Sequence, residues 1–259
     1  MFSITIIFLF GLAIGSFINA LVYRLHAKKK WIRGRSICPK CKHQLAWHDL
    51  IPIISFVLLK GHCRYCHKKI SLEYPLVELA TAVIFIAIYL STFFHIQPEP
   101  QLSIINYQLL INLFIASILI IVFIYDLKHY LILDKVIVPA IVIVFIANVF
   151  LNKSWLGMLI SAFAISVFFL LQFLISKGKW IGLGDLRLGF FMGVVLGWPN
   201  ALAALFLAYI LGSIISVILV LIKAKNWQSQ IPFACFLCPA TFIVMLWGSQ
   251  LLQWYLKIL

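Results

Sequence analysis

Acidic residues are scarce in this sequence, with seven Asp and Glu among 259 residues against 21 Lys and Arg. Charged residues of both signs make up only 11%, whereas hydrophobic residues make up 64% and the mean hydropathy is +1.09. A water-soluble domain of this size needs far more polar surface, so that class is excluded. The composition therefore predicts an integral membrane protein.

The alternating apolar and polar segments that are typical of membrane β-barrels are also missing. The apolar runs are continuous instead, and they are long enough for helices that cross a bilayer core of about 30 Å. We therefore predict an all-α polytopic membrane protein with about eight transmembrane helices. Their predicted positions are 2–23, 74–95, 108–125, 136–152, 156–175, 186–199, 201–222 and 232–256. This gives a first transmembrane helix in 1–23, a polar segment in 24–73 and a helical membrane domain in 74–259.

A cleavable signal peptide is not indicated, because no basic residue precedes the first apolar run and no small-residue cleavage site ends it. All of the 21 Lys and Arg residues except Lys153 and Lys257 lie in or beside loops on one side of the predicted helices. Since loops rich in these residues stay in the cytoplasm, we expect 24–73 inside and both termini outside. This asymmetry and attraction to the bilayer's anionic lipids explain the net charge of +14, so no nucleic-acid partner is expected.

Four of the six cysteines lie in the polar segment as two Cys-x-x-Cys pairs, Cys38 with Cys41 and Cys63 with Cys66. Four thiolates in two close pairs suit tetrahedral zinc, and the 21 residues between the pairs can form a small ribbon that brings them together. A cytoplasmic position also disfavours disulfides. The spacing therefore predicts one closed, structural zinc site in a zinc-ribbon-like insertion between the first two helices.

Two further groups of possible metal ligands are predicted to have other roles. Since four cysteines suffice for zinc, four histidines are expected to be solvated or hydrogen-bonded around the site. These histidines are His43, His48, His62 and His67. Cys235 and Cys238 also form a Cys-x-x-Cys pair, but they lie in an apolar helix without a second pair nearby. Free cysteines in such helices pack as small hydrophobic residues.

The positions of the few acids are informative. Asp126 ends the third predicted helix, and Asp185 opens the sixth within Gly-Leu-Gly-Asp, so the expected topology places both at the cytoplasmic membrane surface. Two carboxylates that meet in a partly dehydrated cleft cannot both ionise easily, so one keeps a proton while the other activates water. Such a pair can hydrolyse an amide bond by general acid and base catalysis.

The residues around these acids leave other roles open. Gly182 and Gly184 would allow a tight turn and let a substrate strand approach Asp185. Spacing alone is equally compatible with a loop in which Asp185 caps the sixth helix through backbone N–H groups. Glu78, one turn inside the second helix, is expected either to line the active cleft or to make a structural hydrogen bond within the bundle.

Several segments of this chain together resemble the type IV prepilin leader peptidases over nearly its full length. The matching segments are GLAIGSFINALVYRL, the two cysteine pairs, DLIPIISFVLLKGHCRYC, ISLEYPLVELATA, DLKHYLILD and GLGDLRLG. In that family, the aspartates that match Asp126 and Asp185 form the catalytic pair of a membrane aspartic protease. Three positions depart from the family pattern, because Leu133 replaces a proline, Arg187 a lysine and Cys235 a glycine. None of these removes a proposed ligand or catalytic acid.

The resemblance also implies a location, substrates and cofactors. It implies a multi-pass protein of the bacterial inner membrane that cleaves type IV prepilin and pseudopilin precursors, as used in pili and type II secretion. The cut follows the glycine that ends a short basic leader, on the cytoplasmic face. Many members also methylate the new N-terminal residue from S-adenosylmethionine, and those that do usually carry the four cysteines. This chain has all four, so we expect zinc and this methyl donor. No Gly-rich Rossmann signature is present, and the residues that bind the donor are therefore not predicted.

Three alternatives to this interpretation are open. The chain could cleave precursors without methylating them. It could be an ion-coupled transporter, but the sequence has no matched inverted halves and both acids are expected at one face rather than at mid-bilayer. The zinc segment could recruit a pilus-assembly partner while the helices only anchor it, although an anchor would not need two acids in a cleft.

Overall fold

The computed structural model describes residues 2–28, 35–94, 102–223 and 231–258. Within these ranges the chain is helical, which confirms the predicted all-α class, and strand-like pairing is limited to two isolated bridges in the polar segment. The α-helices of these ranges are α1 (Phe2–His26), α2 (Ile54–Leu58), α3 (Glu73–Phe94), α4 (Leu102–His129), α5 (Asp134–Phe150), α6 (Trp155–Ser176), α7 (Leu183–Leu196), α8 (Asn200–Leu221) and α9 (Ala234–Ile258). A 3₁₀ turn, Trp47–Leu50, precedes α2.

Six of the described helices are long and apolar enough to cross a membrane, namely α1, α3, α4, α6, α8 and α9. The spans predicted at 136–152 and 186–199 correspond to α5 and α7, which have 17 and 14 residues. At 1.5 Å per residue, a helix of α7's length covers about 21 Å, less than the bilayer core of about 30 Å. The two segments are helical as predicted, while a total of eight membrane crossings stays a prediction.

The helix α4 is longer than the segment 108–125 that hydropathy predicts, because its backbone hydrogen bonds continue into polar residues at both ends. Its last turn includes Lys128 and His129, two residues whose charge or partial charge suits a helix C-terminus. Asp126 therefore lies inside the last turn of α4 rather than at its end. The residue is buried, with only 6% of its surface exposed.

The chain divides into two compact units, Met1–Leu113 and Phe114–Leu259. The division into 1–23, 24–73 and 74–259 stays a prediction. In the first unit, α1 packs closely on α3 through small residues. A Cβ atom added to Gly11 would lie 2.6 Å from the Cα of Ala82, and one added to Gly15 would lie 2.7 Å from the Cα of Glu78. Small residues at such contacts are what allow helices to approach closely inside a membrane.

In the second unit, α7 is the central helix and packs against α5, α6, α8 and α9. Its side chains Leu188, Phe191 and Met192 are fully buried. A Cβ atom added to Gly193 would lie 2.4 Å from the backbone of Ala162, so α6 and α7 touch almost backbone to backbone there. Asn148 of α5 donates a hydrogen bond to the carbonyl of Val194 at 3.2 Å. The helix that carries Asp185 is therefore fixed from several sides.

Candidate active site and metal centre

The four cysteines of the polar segment converge in the first unit. The Sγ atoms of Cys38, Cys41, Cys63 and Cys66 all lie within 4.8 Å of one another. Tetrahedral zinc with bonds of about 2.3 Å places its sulfur ligands about 3.8 Å apart, so the four atoms need to move little to hold one ion. Because all four coordination positions would be sulfur, such a site has no place for a reactive water molecule. The arrangement fits the predicted structural role.

The two cysteine pairs have the same local backbone structure. The N–H of Cys38 donates to the carbonyl of His43 at 2.9 Å, and the N–H of Cys63 donates to that of Lys68 at the same distance. The returning N–H groups, from Lys42 and His67, donate to the carbonyls of the same cysteines at 2.9 Å. Each pair thus forms a tight knuckle that a single bridge closes, Ile37 with Gln44 in one and His62 with Lys69 in the other.

Backbone groups around the first knuckle favour a thiolate. Burial opposes ionisation of Cys38, but hydrogen bonds from the backbone of Cys41 and Lys40 and from neighbouring thiols lower its pKa to about 7. These hydrogen bonds stabilise the thiolate of Cys38, which is the form of cysteine that binds a metal. The four histidines of the segment lie outside the cysteine cluster, as expected. The rings of His43 and Tyr65 stack with centroids 3.7 Å apart, and the Nδ1 of His62 lies 2.7 Å from the carbonyl oxygen of Lys60.

An acid that the sequence did not single out, Asp49, connects the 3₁₀ turn to the second knuckle. The Oδ1 of Asp49 accepts from Arg64 at 2.7 Å, and its Oδ2 accepts from Tyr65 at 3.1 Å and from the N–H of Ala46 at 3.2 Å. Burial of this carboxyl opposes its charge, yet the hydrogen bonds and the Arg64 guanidinium hold the pKa of Asp49 below its usual range. Since Arg64 and Tyr65 lie within the second knuckle, Asp49 ties that knuckle to the rest of the segment.

The second unit contains both predicted catalytic acids, one in the last turn of α4 and one in the first turn of α7. Asp126 and Asp185 lie near enough for their charges to interact through space. The N–H of Ala234, at the start of α9, donates to the Asp126 carboxyl group. The Oδ2 of Asp126 is buried and has no hydrogen-bond partner within the described ranges. A buried acceptor of this kind is free to bind a proton, a water molecule or a substrate group.

Both roles that the sequence left open for Asp185 are compatible with its geometry. Its Oδ2 accepts from the N–H of Gly182 at 3.1 Å, which is a capping contact at the start of α7. Gly182 itself has extended backbone angles that other residues adopt readily. Gly184 is more restricted, because a Cβ atom there would lie 3.0 Å from the Cβ of Ile132. The cap orients Asp185, and Gly184 lets the loop between α4 and α5 pack against the start of α7.

Two residues beside the acids were not predicted as part of the site. Cys235 of α9 lies near both aspartates, and its Sγ approaches the carbonyl of Phe123 at 3.8 Å. Tyr209 of α8 interacts with Asp185 and donates a hydrogen bond to the Oε1 of Gln172 at 2.8 Å. Nothing in the local sequence of either residue indicates a site. Cys235 is buried, as is Cys238, in line with the packing role expected for both.

A further acid, Asp134, contacts α7 at the surface near Asp185. Asp134, the first residue of α5, forms an ion pair with Arg187 of α7. Arg187 stands two residues after Asp185 on the same helix. The pair therefore joins the start of α5 to the turn of α7 that carries the second aspartate. Both side chains are about half exposed, so the pair is a surface contact rather than part of the buried centre.

Comparisons with known proteins cover most of the chain. Residues 9–92 match the model of the bacterial peptidase A24 N-terminal domain, and residues 113–217 match that of the type IV leader peptidase family. A prepilin leader peptidase/N-methyltransferase from Legionella pneumophila is 31% identical over 98% of this chain and 95% of the relative. Proteins of the same name from Bacillus subtilis and Pseudomonas aeruginosa are 30% and 28% identical, over 98% and 96% of this chain and 98% and 92% of their own. No solved structure matches the chain significantly.

Proposed function

Because the chain belongs to the type IV leader peptidase family, we propose that it removes the leader from type IV prepilin and pseudopilin precursors and then methylates the new N-terminal residue. Cleavage follows the glycine at the end of a short basic leader. The precursors reach the enzyme as membrane proteins, and the enzyme is itself a multi-pass protein of the inner membrane. Two aspartates, Asp126 and Asp185, perform the hydrolysis.

The closeness of the Asp126 and Asp185 carboxyl groups, together with the buried and unpaired Oδ2 of Asp126, is the observation that carries this proposal. One ionised carboxylate takes a proton from a water molecule, whose oxygen attacks the carbonyl carbon of the scissile peptide bond. The other, protonated carboxyl group donates its proton to the amide as the bond to the leaving nitrogen breaks. The acid and base roles belong to the pair and not to either aspartate alone, because coupled groups share their protons.

The surroundings of the two acids support such a reaction. The buried Oδ2 of Asp126 has no partner in the described part of the chain, so it is available to water or substrate. Asp185 is held by Gly182 and lies on the most enclosed helix of the unit, and its position is therefore fixed before the substrate arrives. A fixed pair of acids does not have to be organised during the reaction, which lowers the barrier.

Methylation is assigned to the same chain with S-adenosylmethionine as the methyl donor. The Cys38, Cys41, Cys63 and Cys66 cluster would hold zinc, which would organise the polar segment without taking part in hydrolysis. The predicted topology places this segment and both aspartates on the cytoplasmic side, where the donor is available. That placement rests on the distribution of basic residues.

The proposed function is tested with the purified chain and a prepilin precursor in detergent. With S-adenosylmethionine present, the mature product should begin after the leader glycine and carry one additional methyl group by mass. Without the donor, the same product should appear unmethylated. Cleavage that never leads to methylation would reduce the function to a peptidase alone, and an intact precursor would contradict the proposal.

A further inference from the structure

The first unit contains a cavity of about 950 Å³ that the hydrolytic reaction does not use. It is lined by α1, the beginning of α3 and the polar segment that carries the cysteines. Its size is at the upper end of the range of about 300 to 1,000 Å³ that is usual for sites of small molecules and cofactors. Neither Asp126 nor Asp185 is among its lining residues.

An acid from inside a membrane helix lines this cavity. Glu78 of α3 is 8% exposed, and its Oε2 accepts from the N–H of Ile53 at 2.8 Å. The hydroxyl of Ser16 also donates to the carboxyl group, and no basic side chain of the described residues pairs with it. A carboxylate has about four acceptor positions, so these two hydrogen bonds leave room for a ligand. A buried carboxylate that pairs with no cation among the described residues is suited to a ligand that brings one.

The other lining residues offer different chemistry. Arg24 and Arg35 line the cavity together with Lys40, so part of its wall suits an anionic group. The aromatic rings of Phe56 and Tyr74 line it as well and can cover a flat heterocycle. The cavity thus combines one buried acid, aromatic surface and several bases. A fitting ligand carries a positive centre, a planar ring and a carboxylate.

We propose that this cavity binds S-adenosylmethionine and that Glu78 lies beside its positively charged sulfur. This inference rests on the methyltransferase part of the proposed function. The methionine carboxylate of the donor would lie toward Arg24 and Arg35, and the adenine toward the aromatic rings. Each of the three parts of the donor then meets a lining group of matching chemistry.

The position of Glu78 also suits the transfer itself. The lone pair of the N-terminal amine of the cleaved precursor attacks the methyl carbon, and the bond from that carbon to sulfur breaks. The bonding electrons stay on sulfur, which becomes a neutral thioether, while nitrogen becomes a methylated ammonium that then releases a proton to water. Positive charge passes from sulfur to nitrogen, and a carboxylate beside both atoms neutralises it throughout.

The cysteine knuckles form part of the wall of this cavity. Ser36, Ile37 and Cys38 of the first knuckle line it, as does Cys63 of the second. Binding of the donor and the order of the zinc segment are therefore coupled through shared residues. A phospholipid is the other ligand with an anionic end that such a wall could bind, but its acyl chains would have to lie against the buried Glu78 carboxylate, which is unfavourable.

The test measures binding of S-adenosylmethionine to the purified full-length chain and to three variants, by titration calorimetry. Glu78→Gln keeps an acceptor oxygen for the Ile53 N–H and removes only the charge, so binding should weaken by about tenfold or more. Ala20→Phe fills the cavity without altering Glu78 and should weaken binding at least as much. Glu73→Gln makes the same chemical change on the same helix, outside the cavity lining, and should bind like the original chain.

Ultraviolet crosslinking of radiolabelled S-adenosylmethionine gives a second, independent readout. The label should appear in peptides from 13–24, 49–59 or 74–78, and Ala20→Phe should remove it. Cleavage of a precursor by the same preparations reports whether each variant is folded. The cavity assignment is wrong if the chain methylates precursors while Glu78→Gln and Ala20→Phe bind the donor normally. It is also wrong if a copurified phospholipid fills the cavity and the donor does not displace it. If the original chain neither binds the donor nor methylates, the proposed methyltransferase function fails instead.

Discussion

At the scale of single residues, the few acids of this chain separate into distinct roles. Asp126 and Asp185 interact with each other, Asp49 accepts three hydrogen bonds in the cysteine segment, and Asp134 forms an ion pair with Arg187. In a chain with only seven acids, each of these positions has a physical partner that explains its presence. The roles differ mainly in burial, since an exposed pair contributes far less than a buried one.

The ion pair of Asp134 and Arg187 is expected to position Asp185 rather than to react. Asp134→Asn should lower precursor cleavage by less than about tenfold, because an exposed pair contributes about 0–1 kcal/mol. The double variant Asp134→Asn with Arg187→Gln should be no worse than the more affected single variant, since both changes break the same contact. Rates of cleavage of a purified precursor provide the measurement. A loss as severe as that of a catalytic acid would place Asp134 in the reaction itself.

Site residues could be recognised from the sequence where their spacing or setting in the chain marks them. Residues that reach the site only through helix packing could not. The cysteine pairs stand close in the chain, and Asp126 and Asp185 are ionisable residues in apolar surroundings, so each could be recognised alone. Cys235 and Tyr209 lie in ordinary apolar helices, and only the packing of α8 and α9 brings them toward the acids. The hydrogen bonds of Asp49 likewise depend on the folded knuckles.

At the scale of structural elements, the cysteine segment behaves as a small module that its metal should stabilise. Its two knuckles share one hydrogen-bond pattern but contribute little apolar core, since only Cys38 and Cys63 are buried among their four cysteines. Small modules of this kind depend on metal binding for much of their folding free energy. The segment also lines the cavity with Glu78, so its order matters for any ligand bound there.

Removal of zinc should therefore affect methylation more than cleavage. The double variant Cys38→Ser with Cys63→Ser should lose the single zinc ion and most methylation, because the cavity wall loses its order. Cleavage should persist, since both aspartates belong to the second unit. Zinc content by elemental analysis and both products by mass provide the measurements.

The matched control for that variant is Cys238→Ala, which alters a buried cysteine outside the cluster and should retain zinc. Loss of cleavage in a folded, membrane-inserted Cys38→Ser and Cys63→Ser variant would show that the knuckles shape the peptidase site. That result would contradict the separation of the two activities.

Helix positions were largely predictable from hydropathy, because each long apolar run forms a helix in any membrane environment. The ends of the helices were less predictable. In α4, for example, the backbone hydrogen bonds continue past the apolar residues into Lys128 and His129. The central position of α7 could not be predicted either. Its burial depends on Gly189 and Gly193 facing Phe169 and Ala162, a match between helices that neither segment reveals alone.

At the scale of the whole molecule, the distribution of charge predicts how the chain crosses the membrane. Basic residues concentrate on one side of the predicted helices, and the polar segment holds the largest group of them. This asymmetry fixes orientation during insertion. Both proposed activities depend on this orientation, because they require the precursor leader and S-adenosylmethionine on the cytoplasmic side.

Topology reporters should confirm this orientation. A reporter fused after Lys69 should lie in the cytoplasm. A reporter fused in the sequence QPEPQ should be external, and this sequence lies outside the described residues. A third fusion after Lys153 should also be external, and it tests whether α5 crosses the membrane. A cytoplasmic signal from that third fusion would reduce the number of crossings below eight. An external position of 24–73 would overturn the placement of both aspartates.

The central claim, that Asp126 and Asp185 act as a catalytic pair, is tested most directly by the rate of precursor cleavage in Asp126→Asn and Asp185→Asn. Asparagine keeps the shape of each side chain and removes its ability to exchange a proton. Each variant should accumulate in the membrane, retain zinc and lose cleavage by roughly three orders of magnitude or more, with the double variant scarcely worse than either single one. Full cleavage by either single variant would contradict the account.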